Sequence, residues 1–122
     1  SQHALGIIFG MRGRLDSSEV YLREAAHRLP ARADIVGDWG VCLMRLNRLQ
    51  EADSVMQRAL QLNPGNAALW FNYGTLSAYR GKLEQARTAV RRALDIKKDF
   101  PEAQRLLLII EAQLASSAQK TK

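Results

Sequence analysis

The sequence is poor in the residues that most chemistry requires. It has one cysteine and two histidines among its 122 residues. A lone Cys42 excludes an intrachain disulfide and any zinc site built from several cysteines. It falls in an apolar stretch, where a small buried hydrophobe is the expected role. His3 and His27 stand at unrelated places, and no nucleophile–base pair, phosphate-cradling loop or cluster of metal ligands is legible. The expectation is therefore a protein that is not an enzyme and uses no metal or cofactor.

Long apolar runs are missing too. The longest, Leu106 to Ile110, falls far short of the roughly 20 residues a membrane-spanning helix needs. The opening residues Ser1-Gln2-His3-Ala4-Leu5 lack the basic segment, apolar stretch and cleavage site of a secretory signal. Compartment is left open, cytoplasmic or periplasmic, because the pattern below begins partway through a unit, as a piece of a longer protein would. Acidic residues are also in deficit, 12 against 18 basic ones, giving a net charge of +6. What remains is ordinary: 47% hydrophobic and 25% charged residues indicate a folded chain, sized for one domain.

The informative feature is a repeat with a period of 34 residues. Pro30 and Pro64 share a column that Lys98 continues. Leu5, Trp39, Tyr73 and Leu107 form a column of large apolar residues, followed by Gly6, Gly40, Gly74 and then Leu108. Further columns are Leu15, Leu49 and Leu83; Ser18, Ala52 and Ala86; Leu22, Met56 and Val90; Ala25, Ala59 and Ala93. Within each period, apolar residues recur at helical spacing on both sides of a break. Each period thus reads as two helices joined at Gly13, Asn47 or Gly81, residue types that tolerate the left-handed backbone ending a helix. Asp16, Glu51 and Glu84 open the second helices, where they complement the helix dipole. Small residues behind large ones let helices approach closely. A single hairpin cannot hide such a stripe, so hairpins must stack.

This pattern resembles the tetratricopeptide repeat family. Trp70, Tyr73-Gly74, Ala86 and Ala93 carry the resemblance in one period; Trp39-Gly40, Leu43, Ala52, Met56, Ala59 and Pro64 in another; Leu5-Gly6, Phe9, Leu22, Ala25 and Pro30 in the first. Departures are Ser18, Ser77, Val90 and Lys98, with Val36 in the tryptophan column. The resemblance implies an all-α fold, a right-handed superhelical array of antiparallel helix hairpins with about seven helices. The repeats are expected near residues 1–32, 33–66 and 67–100 and a capping helix over 101–118, together one domain spanning 1–118, followed by a flexible tail over 119–122. Pro101 suits the first turn of that last helix. Leu106, Leu108 and Ile109 make it greasier than a cap should be, which implies an apolar end to the array, self-association, or docking of a further segment.

In the family the first helix of each hairpin lines a concave groove that receives a peptide or helix of a partner protein. Carried over, the groove would present His3, Ile7, Gly10 and Met11; Asp34, Gly37, Asp38, Val41, Met44 and Arg45; Phe71, Asn72, Thr75 and Tyr79; and Arg105 and Ile109. Asn72 can donate to and accept from a peptide backbone, Phe71 and Tyr79 could be aromatic anchors, and Met11 and Met44 an adaptable floor. Each has a plainer reading as a solvated or packed helix residue. Trp39 and Trp70 fall in packing columns and are assigned to the core. The lysines and asparagines with which some family members clamp chaperone tails are not matched: those places hold His3, Ile7, Gly37, Val41, Phe71 and Thr75.

Arg14, Arg48 and Lys82 recur at the repeat period, joined by Arg12, Arg45 and Arg80, and are expected to align as a basic ridge. Cations at helix ends are also favoured by the dipole alone. No nucleic-acid motif or set of stacking aromatics accompanies them, so nucleic acid is not an expected partner. The expected function is a scaffold binding another protein, with self-association through the last helix or service as the non-catalytic arm of an enzyme such as a glycosyltransferase as alternatives. The excess of arginine over lysine points to a bacterial source.

Overall fold

A computed structural model describes the backbone of residues 2–120 and the side chains of residues 13–119. The described residues form six α-helices and no strand, divided into two compact units, residues 1–62 and 63–122.

The first unit contains α1 (Gln2–Arg28), α2 (Ala33–Arg45) and α3 (Leu49–Leu62). Helices α2 and α3 make an antiparallel hairpin. The chain reverses at Asn47, whose φ of 63° lies in the left-handed region. Asn47 N–H donates to Met44 O and Arg48 N–H to Leu43 O, both at 2.9 Å, which satisfies carbonyls that the helix end would otherwise leave open. Glu51 stands in the first turn of α3, as expected from the dipole. The hairpin closes because Gly40 has no side chain: a Cβ there would meet Met56 Cγ at 2.6 Å. Val36, Leu43, Ala52, Met56 and Ala59 form its buried seam. Full burial of a side chain such as Leu43 contributes roughly 2–3 kcal/mol relative to exposure.

The second unit contains α4 (Ala67–Tyr79), α5 (Leu83–Ile96) and α6 (Pro101–Lys120). Asn66 caps α4 by accepting from Leu69 N at 3.2 Å. Gly81, with φ of 75°, turns the chain into α5; its N–H donates to Ala78 O and Lys82 N–H to Ser77 O. Gly74 repeats the role of Gly40, with Val90 Cγ2 at 2.6 Å from a Cβ placed on it. Helix α6 packs on α5: Ala86, Val90, Ala103 and Ile110 are buried together, with Phe71, Phe100 and Leu107 packed around them. Arg91 and Glu111 join the same two helices at 2.9 Å. Ser77, the polar departure in the pattern, is 1% exposed. Its hydroxyl donates to Tyr73 O at 2.9 Å and accepts from Gln85 Nε2 at 2.9 Å, and Gln85 also reaches the Tyr73 hydroxyl at 3.0 Å. A buried hydroxyl is tolerated because it is satisfied.

The first expected hairpin is a correction. Helix α1 runs unbroken for 27 residues through Gly13 and Asp16, so there are six helices among the described residues rather than about seven. The local sequence permits either outcome, since Arg12-Gly13-Arg14-Leu15 matches the two turns that do form. The hairpins that reverse at Asn47 and Gly81 are closed by Gly40 on Met56 and Gly74 on Val90; the corresponding glycine of the first period, Gly6, lies outside the residues whose surroundings are described. Breaking the helix at Gly13 would forfeit backbone hydrogen bonds of a continuous ladder, a cost that only packing of the facing helix repays.

Candidate functional site

Two faces carry the groove residues expected from sequence, one in each unit. In the first unit, Asp38, Val41 and Arg45 of α2 border a cleft of about 350 Å³ with Leu15, Ser18 and Leu22 of α1, and Cys42 at its floor. Asp38 and Arg45 are exposed and Val41 half-buried, so the cleft has an apolar base and charged rims. Met44 is half-buried beside them. Cys42 is 5% exposed and donates its S–H to Leu15 O at 3.2 Å. Burial raises the thiol pKa, and the nearby negative charge of Glu19 adds to the rise. Cys42 is thus a packed, protonated thiol, as the sequence implied. Met11 and Arg12, like His3, Ile7 and Gly10, lie outside the residues whose side chains are described.

One polar centre of this unit was not foreseen. Glu19 is 3% exposed. Its Oε1 accepts from Trp39 Nε1 at 3.2 Å and from Arg23 at 3.4 Å, and Arg48 stands 3.7 Å away. The carboxylate ties α1 to α2 and to the turn that opens α3, while His27 packs edge-on against the Trp39 ring at 6.2 Å. The three corresponding positions are Glu19, Asp53 and Arg87, so no repeat column announced it. The available signal was an indole N–H at Trp39, which needs an acceptor once packed.

In the second unit, α4 presents Phe71, Asn72, Thr75 and Tyr79. Phe71 is half-buried and rests on Phe100 with ring centroids 5.1 Å apart, so much of its ring belongs to the seam with the start of α6. Thr75 Oγ1 donates to Phe71 O at 3.0 Å, along its own helix. Asn72 is half-buried, and Tyr79 is 73% exposed. Arg105 and Ile109 of α6 are exposed. Trp70 is half-buried: its indole N–H donates to Pro64 O at 2.7 Å and the Arg92 guanidinium lies 5.4 Å over its ring.

The residues expected to form a basic ridge differ in exposure and in pairing. Arg14, Arg45 and Lys82 are exposed, and Arg80 is half-buried. Arg48 is committed to carboxylates: it donates two hydrogen bonds to Glu51 at 3.0 and 2.7 Å, which lower the Glu51 pKa and raise its own. Among the described residues no group of three or more His, Cys, Asp or Glu side chains could hold a metal ion, and no helix is long and apolar enough to cross a membrane.

Two tetratricopeptide-repeat family models match the chain, one over residues 3–67 and the other over 48–110. No curated protein sequence matches it. Solved structures do. The first tetratricopeptide-repeat domain of Spaghetti (RPAP3), solved bound to the HSP90 peptide SRMEEVD, is similar at a TM-score of 0.82 and 21% identity, covering 92% of this chain and 89% of that one. The first such domain of human RPAP3 gives 0.83 and 22%, covering 95% and 91%. An O-GlcNAc transferase of Thermobaculum terrenum gives 0.76 and 22%, covering 81% of this chain and 19% of the transferase. At these identities the likeness is one of fold.

Proposed function

Because the chain belongs to the tetratricopeptide repeat family, a family of helical repeats that serve protein interaction, we propose that it is a non-catalytic scaffold holding a peptide or helix of a partner protein. The faces that would do this are those of the hairpins' first helices, α2 in the first unit and α4 in the second. The observation that carries the reading is the cleft beside α2. It combines an apolar base at Leu22 and Val41 with an exposed acid at Asp38 and an exposed base at Arg45, suited to apolar side chains flanked by charge. On α4, the half-buried Asn72 amide and the exposed Tyr79 ring offer backbone recognition and an aromatic contact.

The peptide-bound relative supports this use of the fold but does not name the ligand. The lysine and asparagine set of a chaperone-tail clamp is replaced here by Gly37, Val41, Phe71 and Thr75, among others. The recognition chemistry is less cationic, and an acidic tail is not the favoured ligand. The test is affinity capture with the intact chain and with an Asp38→Ala/Asn72→Ala variant, at low and at raised salt. Loss of the captured protein by the variant, with helicity and melting unchanged, is expected. Equal capture would remove α2 and α4 as the binding faces, and loss with salt alone would move the role to the basic residues.

A second reading rests on α6, where Leu108 is 69% and Ile109 55% exposed. That apolar face is suited to docking a further segment or another copy. Leu108→Lys is then expected to abolish association without altering capture.

A further inference from the structure

Helix α6 turns Ala103 and Ile110, both fully buried, into the core of the second unit. At 3.6 residues per turn the opposite side of the helix is centred on Ala112 and carries Arg105, Leu108, Ile109, Ala115, Ser116 and Gln119, all of them exposed. Only Arg105 on this stripe is charged. The repeat columns show what does not fit over it. Helix α3 closes on α2 over Gly40 and α5 closes on α4 over Gly74, each at an approach that leaves no room for a Cβ. In α6 that column holds Leu108. The neighbouring column, occupied by the buried Leu43 and Ser77, holds Glu111, which is tied to Arg91 at 2.9 Å. A further helix laid on α6 in the register of the other hairpins would meet a leucine where that approach requires a glycine, and a committed carboxylate beside it.

We propose that the stripe is covered by the same stripe of a second copy of the chain, two α6 helices packing antiparallel about a two-fold axis at Ala112. This rests on the reading of α6 as an apolar docking face and commits it to one occupant. The stripe is bulky in its first half and small in its second, and the halves are evenly placed about Ala112. In the antiparallel pair Leu108 and Ile109 of one copy lie over Ala115 and Ser116 of the other, and bulk set on small residues permits the roughly 8–10 Å approach of packed helices. Arg105 then lies beside Gln119, whose amide oxygen accepts from a guanidinium. A parallel pair would instead stack Leu108 on Leu108 and Arg105 on Arg105, bulk on bulk and like charge on like charge. The antiparallel contact is isologous, one patch used twice, as two-fold dimers require. Two helices touching over about three turns bury less than the roughly 1,200 Å² of a stable complex, so the dimer is weak, with a Kd expected at roughly tens of micromolar.

Sedimentation of the intact chain, at concentrations spanning that value, is expected to show a monomer–dimer equilibrium. Leu108→Lys is expected to weaken it by about a hundredfold or more, because each copy loses a buried leucine. Cysteine pairing then reads the register. With Cys42 replaced by serine, Ala112→Cys is expected to give a disulfide-linked dimer on mild oxidation, since the two copies of that position meet at the axis. Ala115→Cys is not, since its two copies stand about 9 Å apart along the helices, beyond the roughly 7 Å that a disulfide spans. A chain monomeric at every concentration would overturn the second copy as the occupant and leave the stripe to another segment or protein. Bridging through Ala115→Cys and not through Ala112→Cys would overturn the antiparallel pairing while keeping α6 as the docking face. A dimer untouched by Leu108→Lys would overturn the pairing and the docking face together.

Discussion

Gly74→Ala probes the closest approach in the second unit. The added Cβ would lie 2.6 Å from Val90 Cγ2 and 3.4 Å from both Ala86 O and Val90 N. Val90 is 0% exposed and branched at Cβ, so its methyl has little freedom to turn away, and the backbone atoms behind it leave no second escape. Overpacking of this kind costs about 1–3 kcal/mol. Against it, alanine gains about 1 kcal/mol over glycine inside a helix. The net expectation is a destabilisation of about 1 kcal/mol, read as a lower urea midpoint at unchanged slope. The interference is tied to one methyl group, so Gly74→Ala combined with Val90→Ala should cost less than the sum of the single changes, with a coupling of about 1 kcal/mol. Chemical denaturation of the four proteins measures the cycle. A Gly74→Ala protein as stable as the parent, or strict additivity, would refute the claim that this glycine is kept for the approach of α5.

Two further predictions concern the first unit. Glu19→Ala should destabilise it by about 2–3 kcal/mol, because the Trp39 N–H loses its acceptor and two arginines lose a buried carboxylate; Glu19→Gln, which keeps an acceptor for Trp39, should cost less, and denaturation of both variants checks the order. Cys42 should resist alkylation at neutral pH in the native protein and react freely once urea unfolds it, since its thiol is buried and its pKa raised; fast labelling of native protein would contradict that placement.

Much of the architecture was readable because the repeat encodes packing directly. The columns Gly40 with Met56 and Gly74 with Val90 are contacts in the structure, and Asn47 and Gly81 turn where the pattern breaks. The same local signal at Gly13 misled, since a turn forms only where a facing helix rewards it, and that reward is not written in the four residues of the turn. On the candidate faces Asp38, Arg45 and Tyr79 are exposed, while Val41, Met44, Phe71, Asn72 and Thr75 are half-buried. Less readable was what each side chain does there: Phe71 is drawn onto Phe100, and Thr75 is satisfied by its own helix. Glu19 carries no signal in the repeat because its burial is set by Trp39 and Arg48, both far along the chain, together with Arg23 one helical turn away, rather than by any period.

Hydrogen–deuterium exchange on the intact chain, free and bound to a protein recovered by affinity capture, tests the proposal that a partner occupies α2 and α4. Slower exchange confined to Ala33–Arg45 and Ala67–Tyr79 is the predicted footprint. Protection that instead falls on α3 and α5 and leaves α2 and α4 unchanged would contradict it.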